Sequence, residues 1–417
     1  VGKKLNTAAG TGLEVQSAAA AQLGAADVWD IGGTLTVDGS VVNSGTLHMT
    51  ATGRLVNNGR YVQNAASLLT ADAGGQITAG AEAQVMRYAA DAPDEALLGR
   101  LGQAYTPIVQ PLDYTGQTLP ADGAGCTWNK ETRTLTLSGA ALLLPEGEKP
   151  TAAITLPEDA HILLADGTRN YIENANGEGI HALGDLLIYG NGAAFVKATT
   201  VAVNVENDLT VTMGRLDISR FGASSAMIGI SAMNAAVSHA ALRVDTDQNP
   251  CVIAMETLSV QHSDAVLSSG TLAVFVKAEG GADPAQKIRL SDLPAAGAPA
   301  TVTLTEGTFA TLAKDGTPLA ACAIHAGTPG SVVFFDANDG SPLTYRTVAL
   351  GACVSAPVPT RGAAWYFDGW WNGTQKLTAD TAMTAPVTYT AKWVPLTRQT
   401  LVSGGVALTW AVAAAHP

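Results

Sequence analysis

The chain has 417 residues, of which 44 are glycine and only 14% are charged, and its formal net charge is −13. Because this negative field repels nucleic acids and anionic membrane surfaces, we expect neither as a partner. No apolar run reaches the roughly 18 residues that a membrane-spanning helix requires, so we expect no membrane span in this chain. Few ionisable side chains and many turn residues favour a passive extracellular protein over an enzyme.

The four cysteines show neither Cys-x-x-Cys spacing nor a Cys/His ligand pattern; they are Cys126, Cys251, Cys322 and Cys353. We therefore expect no metal site and no cofactor, and we interpret the cysteines as buried thiols. A disulfide between Cys322 and Cys353 stays open if the chain is exported.

Residues 1–27 are interpreted as an N-terminal lead-in, and residues 28–86 as a short-repeat β-solenoid. In this stretch Val41-Val42-Asn43-Ser44-Gly45-Thr46-Leu47 returns fourteen residues later as Leu55-Val56-Asn57-Asn58-Gly59-Arg60-Tyr61. Short repeats of this kind bury a core only when each coil stacks on the next. We take four glycines, 12, 14 and 16 residues apart, as the starts of successive coils: Gly33, Gly45, Gly59 and Gly75. Asn43 and Asn57 are then expected to stack as a ladder of amides.

Residues 87–125 interrupt the repeat and are interpreted as a connector. Asp91 is a suitable N-cap for a short helix that ends near Leu101, with acidic residues in its first turn. Prolines punctuate the remainder, so we expect a junction between two coiled segments.

A second and wider repeat occupies residues 126–283. Its apolar pairs recur so that their last residues are 23 to 26 positions apart: Leu135/Leu137, Ile162/Leu163, Leu186/Ile188, Leu209/Val211, Ala235/Val237 and Leu258/Val260. This length fits three short strands and three turns, which is one circuit of a parallel β-helix. A second strand is predicted at residues 194–196 and a third at residues 202–203, each recurring once per coil.

Two runs in this part of the chain, residues 128–137 and 179–192, carry a resemblance. They resemble the right-handed β-helix domains of gut-bacterial surface proteins described as carbohydrate-binding domain-containing. The resemblance covers about residues 112–278, and it implies the fold and a bacterial cell-surface or secreted location.

Some parallel β-helices are polysaccharide lyases or hydrolases that cluster carboxylates across adjacent coils. The corresponding cluster here would be Asp185, Asp208 and Asp217, of which the first two occupy the same place one coil apart. Each of these two precedes a strand, where aspartate commonly caps a turn. Turn capping is the favoured interpretation, and catalysis is the alternative.

Residues 284–330 are interpreted as a linker with short strands, and residues 331–394 as a separate small module. The module contains Trp365-Tyr366-Phe367-Asp368-Gly369-Trp370-Trp371 and ends in Ala391-Lys392-Trp393. This pattern is similar to the internalin B-repeat, or Listeria-Bacteroides repeat, which implies a β-grasp-like unit. The first turn, Asp336-Ala337-Asn338-Asp339-Gly340, departs from the adjacent glycines common in that family. Residues 395–417 are interpreted as a C-terminal tail.

Trp365, Trp370 and Trp371 are the candidate ligand-binding residues, because an indole can stack on the apolar face of a sugar ring. Adjacent residues of a strand face opposite sides, so one of Trp370 and Trp371 is expected in the core and the other on the surface.

The sequence thus predicts an all-β protein, a right-handed parallel β-helix (solenoid) in two segments followed by a small β-grasp-like module. The hypothesis for function is a non-enzymatic stalk or adhesin that contacts glycans or host or bacterial surface proteins. A polysaccharide-binding module and a β-helical lyase or hydrolase are the alternatives.

Overall fold

The computed structural model of the chain describes residues 3–17, 19–88, 95–116, 118–147, 151–221, 226–278, 283–290, 301–305, 308–325, 329–341, 343–362, 364–403 and 406–413. Strands account for 56% and helices for 2%, and stacked parallel strands form a β-solenoid of about 11 turns. The predicted all-β solenoid fold is therefore confirmed. The chain divides into two compact units, one of residues 1–110, 123–125 and 139–143 and the other of residues 111–122, 126–138 and 144–417.

The first unit is a three-sided solenoid whose sides are parallel sheets. Its elements are β1 (Lys4–Thr7), β2 (Gly12–Val15), β3 (Ala20–Leu23), β4 (Val28–Ile31), β5 (Thr34–Val37), β6 (Ser40–Asn43), β7 (Thr46–Met49), β8 (Arg54–Asn57), β9 (Arg60–Gln63), β10 (Leu68–Ala71), β11 (Gln76–Ala79), β12 (Gln84–Arg87), α1 (Glu95–Leu98) and β13 (Gln103–Tyr105). The sheet orders are β1-β4-β7-β10, β11-β8-β5-β2 and β13-β12-β9-β6-β3. Because β1, β2 and β3 pair with β4, β5 and β6, the predicted lead-in is itself a solenoid coil.

The coil length in this unit differs from the prediction. Leu35 is in register with Leu55 and Val41 with Tyr61, so a full coil takes 20 residues at these positions. Gly33 precedes β5, Gly45 precedes β7, and these strands belong to different sheets. A step of 12 to 16 residues therefore covers two of the three sides, which have similar strand and turn sequences.

The expected ladder of Asn43 and Asn57 is wrong for the same reason, since β6 and β8 lie in different sheets. Both side chains are fully buried and satisfy separate partners. The Nδ2 group of Asn43 donates to the Tyr61 hydroxyl at 2.8 Å and to the Leu68 carbonyl at 2.9 Å. That of Asn57 donates to the Leu101 carbonyl at 2.7 Å. Helix α1 falls within the predicted helix, whereas its proposed cap, Asp91, lies outside the described residues.

The wider repeat follows with shorter and longer strands in alternation. The elements are β14 (Leu112–Asp113), β15 (Cys126–Asn129), β16 (Thr134–Leu137), β17 (Ala141–Leu144), β18 (Ile154–Leu156), β19 (Ala160–Leu164), β20 (Arg169–Asn174), β21 (Ile180–Ala182), β22 (Leu186–Tyr189), β23 (Ala193–Ala198), β24 (Val201–Val205), β25 (Asp208–Thr212), β26 (Arg215–Arg220), β27 (Ile228–Ser238), β28 (Ala241–Asp245), β29 (Val252–Gln261), β30 (Asp264–Ser268), β31 (Val274–Lys277), α2 (Pro284–Lys287), β32 (Ile288–Leu290), β33 (Thr301–Thr305), β34 (Phe309–Lys314), β35 (Thr317–Pro318) and β36 (Ala321–His325).

The registers of these strands confirm the predicted coil of 23 to 26 residues. On the first side of the β-helix, Leu186, Leu209, Ala235 and Leu258 are directly in register and buried. The second side stacks residue 194 on residue 216, and the third stacks residue 203 on residue 230. Each coil therefore buries its inward side chains against the equivalent positions of its neighbours.

The predicted linker closes the far end of this β-helix. Strand β36 pairs antiparallel with β30, and β34 pairs antiparallel with β31. A parallel stack would otherwise end in unpaired backbone N–H and C=O groups that can pair with another chain. The linker strands therefore act as a cap.

The last module is a mixed sheet with the order β38-β37-β41-β39-β40, in which β42 pairs with β41. Its strands are β37 (Gly330–Asp336), β38 (Thr344–Ala349), β39 (Trp365–Asn372), β40 (Gln375–Lys376), β41 (Val387–Ser403) and β42 (Val406–Ala413). Its core contains Val333, Phe335, Trp370 and Tyr389. The predicted C-terminal tail is not separate from the module, because β41 continues into it and forms an antiparallel hairpin with β42.

The four cysteines carry free thiols. Cys126 and Cys251 are buried as expected, whereas Cys353 is exposed and Cys322 half-buried. The disulfide that the sequence left open is not formed.

Gly229, buried in β27, provides a test of coil-to-coil packing. An added Cβ would lie 2.3 Å from Cγ1 of Val244 and 2.4 Å from the Cys251 carbonyl oxygen. We expect Gly229→Ala to lower the free energy of unfolding by about 1–3 kcal/mol, as overpacked cores do. Gly116→Ala is the matched control, because the nearest atom would be at 3.7 Å. Equal denaturant midpoints for the two variants would contradict this packing.

Candidate functional site

The three candidate carboxylates do not converge. Asp185 and Asp208 lie beside each other on the first side of the β-helix, where the Asp208 N–H donates to Oδ1 of Asp185 at 3.2 Å. Asp217 lies on β26, in a different sheet, and its carboxylate is bound by the guanidinium of Arg215. The arrangement therefore lacks the shared geometry that paired acid and base carboxylates require.

Asp185 and Asp208 belong to a polar column that runs along the stack. Nδ2 of Asn234 donates to Asp208 at 2.8 Å, and the Thr257 hydroxyl donates to Oδ1 of Asn234 at 2.6 Å. These bonds link four successive coils at the start of the same side, which is the structural role that aspartate plays at turns. Within the described residues, no group of three or more His, Cys, Asp or Glu side chains is arranged to hold a metal ion.

The C-terminal module is packed directly against the side of the β-helix. Strand β37 is buried on both faces. Val333 and Phe335 point into the module, while Val332 and Phe334 pack on Leu187 and on its neighbours Tyr189 and Met213 of the β-helix. The module is therefore a fixed part of this unit and not a spacer on a flexible connection.

The hydroxyl of Tyr345 marks the edge of this contact. Burial raises the pKa of Tyr345, a hydrogen bond with Thr210 opposes this, and the nearby charges of Asp185 and Asp208 raise it further. The aspartates that the sequence singled out thus border the docked module.

His161 lies inside the contact, with 6% of its surface exposed. Its ring is 5.3 Å from that of Phe334 and 6.3 Å from that of Tyr345, centroid to centroid. Its Nδ1 atom has no hydrogen-bond partner among the described residues. Burial lowers the pKa of His161 to about 4; the charge of Asp159 opposes this shift and that of Arg133 adds to it.

This histidine predicts a pH-dependent stability. Between about pH 6.5 and 4 the unfolded chain binds a proton at His161 that the folded chain does not, so the free energy of unfolding falls as the pH falls. The loss reaches about 3 kcal/mol near pH 4 and is absent above pH 6.5. Denaturant unfolding of His161→Leu should lack this component, whereas His181→Gln, which lies outside the contact, should retain it. An unchanged pH profile in His161→Leu would contradict this prediction.

The module also carries an open cleft of about 710 Å3 that groups three tryptophans. It is lined by Asn338, Arg361, Trp365, Trp371, Gly373, Thr374, Thr390, Ala391, Lys392 and Trp393. Trp365 is 37% exposed, and Trp371 and Trp393 are half-buried. Two of the three predicted binding residues, Trp365 and Trp371, therefore come together here.

Trp370 is not part of the cleft. It is only 5% exposed, lies 4.9 Å from the ring of Phe335, and donates its Nε1 proton to the Pro357 carbonyl at 2.9 Å. As adjacent strand residues, Trp370 and Trp371 face opposite sides, with Trp370 in the core. Trp370 is therefore removed from the candidate ligand-binding set, because its ring faces cannot be reached by a ligand.

A β-bulge in β39 places these aromatic side chains. The register between β39 and β41 shifts between Phe367 and Gly369, so Asp368 is an extra residue. Gly369 has a φ of +125°, and an added Cβ would lie 2.4 Å from Cε of Lys376. The glycine of the Phe-Asp-Gly-Trp motif is thus required by backbone conformation and by the close approach of that lysine.

Cationic groups stack on the indoles of the cleft. The Arg361 guanidinium carbon is 4.5 Å from the ring centroid of Trp365 and 5.9 Å from that of Trp393. Nζ of Lys392 is 4.6 Å from the Trp371 centroid, and Nζ of Lys376 is 5.5 Å from it. Such contacts hold flat side chains in place and concentrate positive charge beside their faces.

A second cleft of about 620 Å3 lies on the β-helix. It is lined by Tyr114, Thr115, Gly116, Leu119, Trp128, Lys130, Arg133, Pro157, Glu158 and Leu183. Trp128 spends one face on Tyr114, with the ring centroids 4.7 Å apart. Arg133 donates to the Glu158 carbonyl and to Asp159 of the next coil. This cleft therefore offers a single half-buried indole, fewer aromatic surfaces than the cleft of the module.

Sequence reasoning missed both the role of Trp393 with its two cations and the docking of the module. The Ala391-Lys392-Trp393 run was visible, but its pairing with the tryptophan strand β39 is a tertiary fact. The docking left a local signal, because Leu187 and Tyr189 are apolar at outward positions of β22. A strand with apolar residues on both faces indicates a sheet covered on both sides.

No protein-family model matches this chain, and no curated protein matches it. In the part of the chain that the structure describes, no helix has the length and hydropathy needed to span a bilayer. Function must therefore be argued from the geometry of the clefts and from the fold.

Proposed function

We propose that this chain is a non-enzymatic bacterial cell-surface or secreted protein in which a solenoid scaffold holds a glycan-binding cleft. The observation that carries the proposal is the cleft of Trp365, Trp371 and Trp393 with its stacked cations. Aromatic faces take the apolar faces of sugar rings, and the adjacent amide, hydroxyl and cationic groups bind sugar hydroxyls. The partner is then a glycan, free or attached to a surface protein.

The packing of the module supports an adhesin-like role for the solenoid. Phe334 and Val332 fix the module on the β-helix, so the cleft has a defined orientation on a rigid body. A stacked solenoid transmits force through many inter-coil hydrogen bonds, and each coil adds length without long-range loop closure. The resemblance to bacterial surface β-helices and to the internalin B-repeat agrees with an extracellular location.

The lyase or hydrolase alternative is less well supported by the side chains at hand. Its candidate acids are hydrogen-bonded along the stack or paired with Arg215. Incubation with pectins and uronic-acid polymers, with and without calcium, should yield no new reducing ends or unsaturated products. Turnover of any of these polymers would refute the non-enzymatic proposal.

Glycan-array binding of the whole chain tests the cleft. We expect Trp371→Ala and Trp365→Ala each to weaken glycan binding at least about tenfold, since aromatic anchors dominate such interfaces. Tyr366→Ala is the matched control, because Tyr366 is 53% exposed beside Trp365 but does not line the cleft.

Trp128→Ala separates this cleft from the one on the β-helix. Loss of binding in Trp128→Ala with full binding in Trp371→Ala would place the site on the β-helix and refute the proposed location. No binding of the unmodified chain to any glycan would refute glycan recognition altogether. Circular dichroism and thermal unfolding of each variant check that its fold is intact.

A further inference from the structure

We propose that the tryptophan cleft selects an acidic sugar, meaning a pyranose that carries one carboxylate within a largely neutral glycan. This inference rests on the proposed glycan-binding function and adds a charge specificity to it. It is carried by an imbalance between cations and carboxylates at the cleft.

Three cations lie over the indoles of the cleft: Arg361, Lys376 and Lys392. Two of them have acidic neighbours. Nζ of Lys376 is 3.2 Å from Oδ1 of Asp368. Asp339 has a lowered pKa, chiefly through hydrogen bonds from Ser341 and in small part through the charge of Arg361.

Lys392 has no carboxylate within ion-pair distance among the described residues. Its Nζ lies 4.6 Å from the centroid of the Trp371 ring, and its side chain is half-buried in the wall of the cleft. The cleft therefore presents one unneutralised positive charge directly beside an indole face. A sugar ring stacked near Trp371 would bring a ring carboxylate within reach of this ammonium group, where a charge-assisted hydrogen bond forms.

The indole of Trp371 has a second unmet requirement. Its Nε1 atom is shielded from solvent and has no acceptor among the described residues. A donor left unpaired in this way costs free energy, which an oxygen of a bound ligand recovers when side chains of the cleft shift to admit it. Carboxylate oxygens are the strongest acceptors that a glycan offers.

The charge of the whole chain restricts the ligand further. At −13 the protein repels a long polyanion, whereas a single carboxylate interacts mainly with charges within the screening length of about 8 Å at physiological salt. An isolated or terminal acidic sugar therefore fits this site better than a continuous polyuronate.

The test uses paired probes that differ only in charge. Neutral oligosaccharides ending in glucuronic acid, galacturonic acid or sialic acid are each compared with their methyl esters, by calorimetry on the whole chain. We expect at least one acid to bind about tenfold or more tightly than its ester at low salt, with the difference shrinking in 0.5 M salt, roughly the range in which ion pairs are screened.

Lys392→Met should remove the preference for the acid while leaving the affinity for the ester within about twofold, because the methylenes and the indole are retained. Lys314→Met, at an exposed position on β34, is the matched control and should keep the preference. Retention of the preference in Lys392→Met would overturn the assignment of the carboxylate to this lysine.

The outcomes separate the two proposals. Equal binding of acid and ester, or binding of neutral glycans only, would overturn the charge specificity and leave glycan recognition standing. Tighter binding of a long oligogalacturonide than of every singly charged probe would overturn the restriction to an isolated acid. Binding of no probe here and no glycan on the array would overturn both.

Discussion

Parallel hydrogen bonding between successive coils is the constraint on which the rest of this structure depends. Each short strand finds its partners one coil before and one coil after, so an inward side chain always stacks on its equivalent, as Leu186, Leu209 and Ala235 do. A coil can neither slip in register nor change its inward face without exposing apolar groups along the stack. Polar groups that remain inside, such as Asn43, must then be fully hydrogen-bonded.

The same constraint explains where chemistry is absent and where it is concentrated. Outward positions at the ends of strands are used for hydrogen bonds between coils, which engages Asp185 and Asp208. Outward apolar positions, such as Leu187 and Tyr189, are covered by the C-terminal module. The module in turn keeps its exposed aromatic residues on a surface of its own, where a β-bulge and two strands gather three indoles and their cations.

Docking also gives the module its orientation. Strand β37 belongs to two cores at once, with Phe335 in the module and Phe334 on the β-helix. Burial on both faces makes this strand a rigid connection, and it places an uncharged His161 where a protonated one would be unfavourable. A glycan bound in the cleft would therefore transmit load into the solenoid through packed side chains.

The sequence by itself determined the all-β solenoid class and the 23 to 26 residue coil of the second repeat, because strand period and turn residues are local properties. It did not determine the coil of the first repeat, since three similar sides made two thirds of a circuit resemble a whole one. It also placed Trp370 and Trp371 on opposite faces without deciding which was buried. Only the tertiary structure decided that, together with the meeting of Trp365, Trp371 and Trp393, because strand pairing and the packing of one sheet on another join residues that no local pattern connects.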